Sequence, residues 1–263
     1  MSALADAVAG LVEANAALRK RRKLAKRERA LERAMAKAFA AEGRAVLAEV
    51  ARLRSRFPQE VREAISADEL VRLYDQALAN SLDLFTLPID QAAAAGLEAG
   101  MAAAVADLDV DMSFDLANPR AVDYLRERGL TQVRRIRNTT RETLRRILAQ
   151  AADEGWSYGR TAKAIRDRYT HFSVERARNI AVYELGDAYE AGNRLVADDL
   201  SAGGLVMEKS WLSAGDARVR ADHRQNAAAG WIPIGDAFPS GHDRPPTDPR
   251  CRCAALYRRK PDA

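Results

Sequence analysis

The fold class is decided first by residues 20–50, KRRKLAKRERALERAMAKAFAAEGRAVLAEV. Apolar side chains recur there at steps of three, four and seven residues, which places them on one face of an α-helix. They are Leu24, Leu31, Met35, Phe39, Val46 and Val50. The pattern extends both ways and predicts one or two long helices from about Leu4 to Phe57, ended by Pro58. Such a narrow apolar stripe needs a partner helix, from this chain or from another copy.

The composition supports a helical protein. The chain has 263 residues, enough for one large domain or two small ones, and 48% of them are hydrophobic while only 6% are aromatic. Much of the apolar content is alanine, which suits close-packed helices better than a broad sheet. No segment approaches the roughly 18 uncharged apolar residues of a membrane span, so neither membrane insertion nor secretion is expected.

A dense basic run lies within the first long helix, in a chain of formal net charge +5. Its members are Arg19, Lys20, Arg21, Arg22, Lys23, Lys26, Arg27 and Arg29. Positive charge of this density can contact the phosphate backbone of double-stranded DNA without reading bases. The run has no aromatic residue for stacking on bases, and a solvated helix face or docking onto an acidic protein are alternative interpretations.

Further helices are predicted along the middle of the chain. The apolar pattern predicts one from Ala67 to Leu84 and an alanine-rich one to about Leu108, separated by Pro88. Val110 to Pro119 has the composition of a connector and is the predicted domain boundary. We therefore expect a helical arm over residues 1–110, a helical region over 111–200 and a small module over 201–263.

Helix start and stop signals divide residues 120–200. A short helix over Arg120–Arg128 is predicted to end at Gly129. Thr139 with Glu142 three residues later has the form of a capping box and predicts a helix to about Gly155. Ser157 or Thr161 is predicted to begin the next helix, and Ser173 to cap a longer one that ends near Ala197.

Glu184 falls on the apolar face of that last predicted helix. A carboxylate on a packing face needs an ion pair or hydrogen bonds, because burial of an unpaired charge is costly. A structural ion pair with an arginine such as Arg218 or Arg220 is the favoured interpretation, and a metal-binding or catalytic carboxylate is the alternative.

The sequence changes character after Gly203-Gly204. Three short extended segments are predicted over residues 205–211, 231–234 and 251–257. A proline- and glycine-rich loop lies between the last two. The predicted fold is therefore mainly α, with long N-terminal helices and a helical middle region, followed by a small C-terminal α+β module.

The C-terminal module also carries most of the metal-ligating side chains. Cys251 and Cys253 would face the same way if they lie in a strand, and His223 and His242 offer nitrogen donors. Two sulfurs and two nitrogens suit a tetrahedral structural zinc site. Asp216 or Asp222 is an additional oxygen donor, and the alternatives to a metal are two reduced thiols or a strained disulfide.

In order and spacing, these residues resemble the phage Mu F-like head morphogenesis proteins, also called minor head or minor capsid proteins. The pattern K-x-W, D-x-R-V-R-x-x-H, a proline-rich loop and C-R-C corresponds here to Lys209, Trp211, Asp216, Arg218, Arg220, His223, Cys251, Arg252 and Cys253. The preceding R-A-x-x-I-A-x-x-E corresponds to Arg176, Ala177, Ile180, Ala181 and Glu184. The resemblance spans about Asn118 to Tyr257. Arg250 stands where the family commonly has asparagine.

The resemblance implies a virion protein of a tailed phage, prophage or related particle. Such a protein would act with the portal protein and other head proteins in procapsid assembly and genome packaging or delivery. It would lie in the capsid interior or at the portal vertex, and in the host cytoplasm during assembly. No enzyme is implied. The alternatives are a metal-dependent nuclease that uses the C-terminal His/Asp/Cys cluster and a helical DNA-binding protein that acts outside the virion.

Overall fold

The computed structural model describes residues 2–56, 72, 75–76, 83–110, 116–156 and 158–261. In these residues the chain forms α1 (Ser2–Arg56), α2 (Asp83–Leu108), α3 (Pro119–Asp153), α4 (Tyr158–Ala202), β1 (Met207–Leu212), α5 (Ala221–Ala228), β2 (Trp231–Pro233) and β3 (Ala254–Arg259). The prediction of a mainly α protein with a small C-terminal α+β module is confirmed. Among the described helices, none combines the length and apolar character needed to span a bilayer.

Helix α1 confirms the predicted long N-terminal helix. Its apolar stripe is buried within this chain, where Leu24, Met35 and Phe39 are at most 1% exposed. The stripe from Leu24 to Val46 therefore has its packing partners inside the same molecule. Val50 also belongs to the predicted stripe, but its side chain lies outside the described residues.

The predicted separation at Pro88 is wrong. Pro88 lies inside α2, which begins at Asp83. Proline at the sixth helical position removes one backbone hydrogen bond. That loss is offset by burial on either side of it, because Phe85 is 3% exposed and Ile89 is fully buried. Most of the predicted helix from Ala67 to Leu84 lies outside the described residues.

The predicted helix break at Gly129 and the start at Thr139 are also wrong, because α3 is continuous from Pro119 to Asp153. The hydroxyls of Thr139 and Thr140 donate to the carbonyl oxygens of Arg135 and Ile136, at 2.9 and 3.1 Å. A threonine that bonds back to the preceding turn is compatible with a helix interior.

Gly129 lies inside α3 at a closely packed position, and the helix does not end there. A side chain at Gly129 would meet the Asp90 carboxylate, since an added Cβ lies 2.3 Å from Asp90 Oδ1.

Helix α4 runs without interruption from Tyr158 to Ala202. Its start confirms the helix predicted to begin near Ser157 or Thr161. The predicted cap at Ser173 is wrong, because the Ser173 hydroxyl donates to the carbonyl oxygen of Thr170, 3.5 Å away, inside the helix. The helix also continues five residues beyond the predicted end at Ala197.

The chain divides into two compact units, and the divisions fall inside helices. The first unit contains residues up to Ala30, Gln91–Leu125 and residues from Asn179 onward; the second contains Leu31–Asp90 and Arg126–Arg178. Neither unit is a continuous stretch of sequence. The predicted division into residues 1–110, 111–200 and 201–263 stays a prediction.

The second unit has an aromatic and aliphatic core. Phe39 packs edge-on against Phe85 with ring centroids 5.2 Å apart, and the Arg176 guanidinium lies 4.8 Å from the Phe39 ring. Arg176 also donates to Thr140 Oγ1 at 2.7 Å. A separate cluster buries Val46, Leu144, Leu148 and Ile165. The buried carboxylate of Glu42 accepts a hydrogen bond of 3.0 Å from the Tyr169 hydroxyl.

In the first unit, α2 and α4 approach at backbone distance. A Cβ atom placed on Gly100 would lie 2.0 Å from the carbonyl oxygen of Tyr189, and one on Gly192 would lie 2.2 Å from the carbonyl oxygen of Leu97. Only glycine fits where two backbones come this close. Leu97, Met101, Val196 and Leu200 continue the core from this crossing and pack with Met207 of β1.

The small sheet lies in the first unit and has the order β2-β1-β3, with both pairs antiparallel. Ser210 of β1 is opposite Trp231 of β2 and Leu256 of β3. The predicted extended segments over 205–211 and 231–234 correspond to β1 and β2. The third strand begins at Ala254, so the cysteines precede it. Met207, Lys209 and Trp211 alternate along β1 and are all buried.

Candidate functional site

The C-terminal module brings one histidine and both cysteines together. His223 Nδ1 lies 3.7 Å from Cys251 Sγ and 3.6 Å from Cys253 Sγ. The three residues are buried, with exposures of 2%, 8% and 3%. His223 is on α5, and the cysteines are in the extended chain before β3 rather than in a strand. The cysteines directly follow a turn in which the backbone N–H of Cys251 donates to the carbonyl oxygen of Asp248 at 3.1 Å.

That turn is formed with help from an unusual backbone conformation. Arg250 has a φ of 69°, in the left-handed region, directly before Cys251. Asparagine is enriched several-fold over most residues in this region, which gives a physical reason for the asparagine common in the family. The cysteine thiols are not joined in a disulfide.

The imidazole of His223 is oriented by two residues of the proline-flanked segment that follows the loop. His223 Nε2 lies 2.8 Å from Thr247 Oγ1, and the Thr247 hydroxyl donates to Asp248 Oδ2 at 2.9 Å. The other ring nitrogen faces the two sulfurs. Sequence reasoning missed both Thr247 and Asp248, and their position between Pro246 and Pro249 was the only available signal.

The two thiols differ in acidity. The pKa of Cys253 is lowered to about 6, first by the hydrogen bond from the Cys251 thiol and also by the backbone N–H of Ala214. The pKa of Cys251 is raised by the same hydrogen bond and by burial. The Trp211 indole N–H has no hydrogen-bond partner among the described residues. The Cys253 thiol is therefore the more acidic of the two.

Two aromatic rings enclose the cluster. The Trp211 ring packs edge-on against both His223 and Phe238, with centroid distances of 5.2 Å in each case. Phe238 is held by the adjoining loop, where Asn226 bonds the side chain and backbone of Ser240 at 2.8 and 3.0 Å. On the side of the two sulfurs, the cluster is therefore packed against aromatic rings.

Asp216 of the D-x-R-V-R-x-x-H motif pairs with Arg252 of the C-R-C motif. Arg252 makes two contacts with the Asp216 carboxylate, at 2.7 and 2.6 Å. Asp216 Oδ1 also accepts the backbone N–H of Arg218 at 3.0 Å. Arg220 lies 3.6 Å from Asp248 and donates to the carbonyl oxygen of Pro249 at 3.4 Å. These ion pairs connect the segments on either side of the cluster. The Asp216 carboxylate is paired with Arg252 and is therefore not part of the cluster.

The Asp216–Arg252 pair predicts a pH dependence of stability. Arg252 lowers the pKa of Asp216 from its ordinary value of 3.8 to about 2. The pair therefore stabilises the fold above pH 3.8, and this contribution is lost as the pH falls through about 2. We expect the difference in unfolding free energy between wild type and Asp216→Asn to shrink across that window, as measured by denaturant unfolding at several pH values. Arg252→Gln should give the same profile, and a flat difference would contradict the pairing.

His242 does not join the cluster. It is exposed, and its Nδ1 lies 2.9 Å from Ser240 Oγ. Asp222 accepts the backbone N–H of His223 at 2.9 Å, and its carboxylate is near Nε2, on the opposite side of the ring from the sulfurs. The predicted set of two sulfurs and two nitrogens is thus reduced to two sulfurs and one nitrogen among the described residues.

Glu184 is buried, with an exposure of 2%. The two arginines suggested as its partners lie elsewhere in ion pairs, Arg218 with Asp216 and Arg220 with Asp248. Its neighbours on α4 include other buried acidic groups. Asp187 accepts a hydrogen bond from Arg244 at 2.7 Å, and also one from the Tyr124 hydroxyl at 2.8 Å.

The basic run of α1 separates into two kinds of residue. Lys20 is only 13% exposed at its side chain and pairs with Glu190 Oε1 at 2.5 Å. Five other members are exposed: Arg22, Lys23, Lys26, Arg27 and Arg29. The side chains of Arg19 and Arg21 lie outside the described residues.

A second basic surface was missed by sequence reasoning. Helix α3 carries nine arginines in 35 residues, and Arg134, Arg135 and Arg146 are among those exposed. Arg134, Arg137 and Arg141 line a shared depression together with Asn138 and Asp75, and Arg141 is paired with Asp75. The high arginine content of residues 119–153 was the signal that could have revealed this surface.

The fold and cluster define a mainly helical protein whose C-terminal module is built around a buried His-Cys-Cys group. Residues 142–256 match the family model described as Phage Mu protein F like protein. The matched segment contains Glu184, Trp211, the D-x-R-V-R-x-x-H motif and C-R-C, so the predicted resemblance is confirmed over this range. The match indicates a phage head-related protein and a virion component. Neither the curated proteins nor the solved structures gave a match to the chain.

Proposed function

We propose that this protein is a minor head protein of a tailed phage, prophage or related particle. In this role it associates with the portal protein and acts, without enzymatic activity, in head assembly and in genome packaging or delivery. The observation that carries the proposal is the family match over residues 142–256. Its motif residues lie in the buried cluster and in the ion pairs around it, which is the expected result for a structural module.

Association with the portal is tested by co-expression of the full chain with the portal protein encoded in the same genome. We expect the two proteins to co-purify and to sediment together in assembled particles. A protein that is absent from particles and does not bind the portal would contradict the proposed role.

Contact with packaged DNA is proposed for the exposed basic residues of α1. Arg22, Lys23, Lys26, Arg27 and Arg29 project from one helical segment. Because these side chains are exposed on one helix, they can contact successive phosphates of a DNA strand. Lys20 is not included, since its ammonium group forms an ion pair with Glu190. Each neutralised phosphate releases counterions, so this binding is expected to be strongly salt-dependent and independent of sequence.

The corresponding prediction concerns the salt dependence of binding to double-stranded DNA. Replacement of the five exposed residues by glutamine should reduce the steepness of the log affinity versus log salt plot. The slope should fall by about 0.9 for each phosphate that the variant no longer neutralises, and so by up to about 4.5 in total. Fluorescence anisotropy with a DNA duplex across a range of salt concentrations measures this slope.

Glutamine replacements of Arg134, Arg135 and Arg146 on α3 provide the matched control, because they remove exposed positive charge from another helix. If this control lowers the slope and the α1 variant does not, the DNA-contact surface belongs to α3 instead. If neither variant changes it, the proposal of DNA contact through these helices is wrong.

The nuclease alternative has less support in the site. Asp216 is paired with Arg252, and the three clustered ligands include two sulfurs. Hydrolytic magnesium sites use oxygen ligands, whereas thiolates select softer ions. The cluster is also buried beneath Trp211 and Phe238, where a phosphodiester would have no access.

A further inference from the structure

We infer that His223, Cys251 and Cys253 bind one zinc ion, with His223 Nδ1 and the two Sγ atoms as its protein ligands. The inference is independent of the proposed function, because it depends only on the geometry and chemistry of the cluster. The three ligand atoms lie within 4.8 Å of one another. They leave one tetrahedral position for an exogenous ligand such as water.

The hydrogen bonds on the far side of the imidazole fix which nitrogen can bind a metal. A carboxylate only accepts, so the Thr247 hydroxyl must give its single hydrogen to Asp248 Oδ2. Thr247 Oγ1 can then only accept from His223, which places the ring proton on Nε2. In the neutral imidazole the lone pair is then on Nδ1, the nitrogen that faces the two sulfurs. Metal-binding histidines are commonly oriented by such a hydrogen bond from the other nitrogen.

The distances around Nδ1 fit a metal better than two thiol hydrogen bonds. A tetrahedral zinc with bonds of about 2.3 Å to sulfur and about 2.0 Å to nitrogen would separate these atoms by about 3.5 Å. The observed separations are 3.6 and 3.7 Å. The lone pair of Nδ1 can accept a hydrogen bond from only one thiol in good geometry. A metal ion bound along that lone pair can instead be bonded to both sulfurs, which would lie at similar distances from Nδ1.

The ligand types select the ion and suggest its role. Two thiolates and one imidazole favour zinc over magnesium or calcium, which prefer oxygen. The ion would join α5 to the turn before β3, in segments 28 and 30 residues apart in sequence. This part of the chain has a small core of Trp211, Phe238 and the cysteines, so a metal would add folding free energy where apolar burial is limited.

The first test is the metal content of the full chain purified after expression with added zinc. We expect one zinc per chain by elemental analysis. Replacement of zinc by Co²⁺ should give the intense visible and near-ultraviolet absorption of a tetrahedral ion with thiolate ligands. A folded wild-type chain that retains no zinc and gives no thiolate absorption with Co²⁺ would overturn the inference. A mass two hydrogens lower, from a Cys251–Cys253 disulfide, would do the same.

Variants assign the ligands. Cys251→Ser, Cys253→Ser and His223→Gln should each lose the metal, whereas His242→Gln should retain it because His242 lies outside the cluster. Thr247→Val keeps all three ligands and should weaken zinc affinity by about 10- to 100-fold through loss of the orienting hydrogen bond. If the ligand variants do not fold, this variant and the wild-type Co²⁺ spectrum still decide the question. Unchanged zinc affinity in Thr247→Val would contradict the orienting role.

Discussion

Lys20→Met is expected to destabilise the protein by about 3–5 kcal/mol, the usual cost of removing one partner from a buried ion pair. The carboxylate of Glu190 is completely buried and accepts from Lys20 Nζ at 2.5 Å and from the backbone N–H of Ala255 at 3.1 Å. Lys20 Nζ also donates to the carbonyl oxygen of Cys253 at 3.1 Å. Without the lysine, a buried negative charge would remain with one hydrogen bond.

Urea unfolding at neutral pH measures this loss. Lys23→Met is the matched control, since Lys23 belongs to the same basic run but is exposed, and it should change stability by no more than about 0.5 kcal/mol. The double variant Lys20→Met/Glu190→Gln should recover part of the stability, because it removes the buried charge. If Lys20→Met and Lys23→Met are equally stable, the proposed burial of the pair is wrong.

Gly100→Ala is expected to destabilise the first unit by about 1–3 kcal/mol, although alanine is the better helix former by about 1 kcal/mol. The new methyl group would lie 2.0 Å from the carbonyl oxygen and 2.8 Å from the carbonyl carbon of Tyr189. Both are backbone atoms of α4, so no side-chain rotation can relieve the clash. The two helices would have to move apart and would pack less closely along their length.

Gly186→Ala provides the control for helix propensity. Gly186 also lies in α4, but a Cβ atom there meets no atom within 4 Å. This substitution should stabilise the protein by about 0.5–1 kcal/mol. Thermal unfolding followed by circular dichroism distinguishes the two, because the midpoints should shift in opposite directions. A rise in both midpoints would contradict the close approach of α2 to α4.

Long-range periodicity predicted the fold better than local capping signals did. The stripe of Leu24, Met35 and Phe39 gave the correct long helix because burial of a continuous apolar face outweighs local preferences. Thr139 and Ser173 were interpreted as helix starts, yet each side chain can bond to its own preceding turn inside a helix. Pro88 was interpreted as a break, but burial of its neighbours offsets its cost. Local sequence therefore does not distinguish a hydroxyl that caps a helix from one inside it, and it does not show the burial around Pro88.

The candidate site was predictable where side-chain chemistry is distinctive. His223, Cys251 and Cys253 were identified because few residue types bind soft metals. His242 was included among the predicted metal ligands for the same reason. Its exposed position depends on the conformation of the loop, which the sequence does not show. The sequence does not show which lysine of the basic run forms a buried ion pair. The partner of Lys20, Glu190, is 170 residues away along the chain. Thr247 escaped notice because a hydroxyl acquires its orienting role only from its neighbours.

The division of the molecule inside its helices has a consequence for work with fragments. The family-matched segment, residues 142–256, contains part of each unit and lacks α1 and α2. Expressed alone, it would leave Glu190 without Lys20 and would expose the α4 surface around Gly192 that α2 covers. Truncation at the family boundaries should therefore yield an insoluble product, and shortened versions of this protein should retain Lys20 of α1 and all of α2.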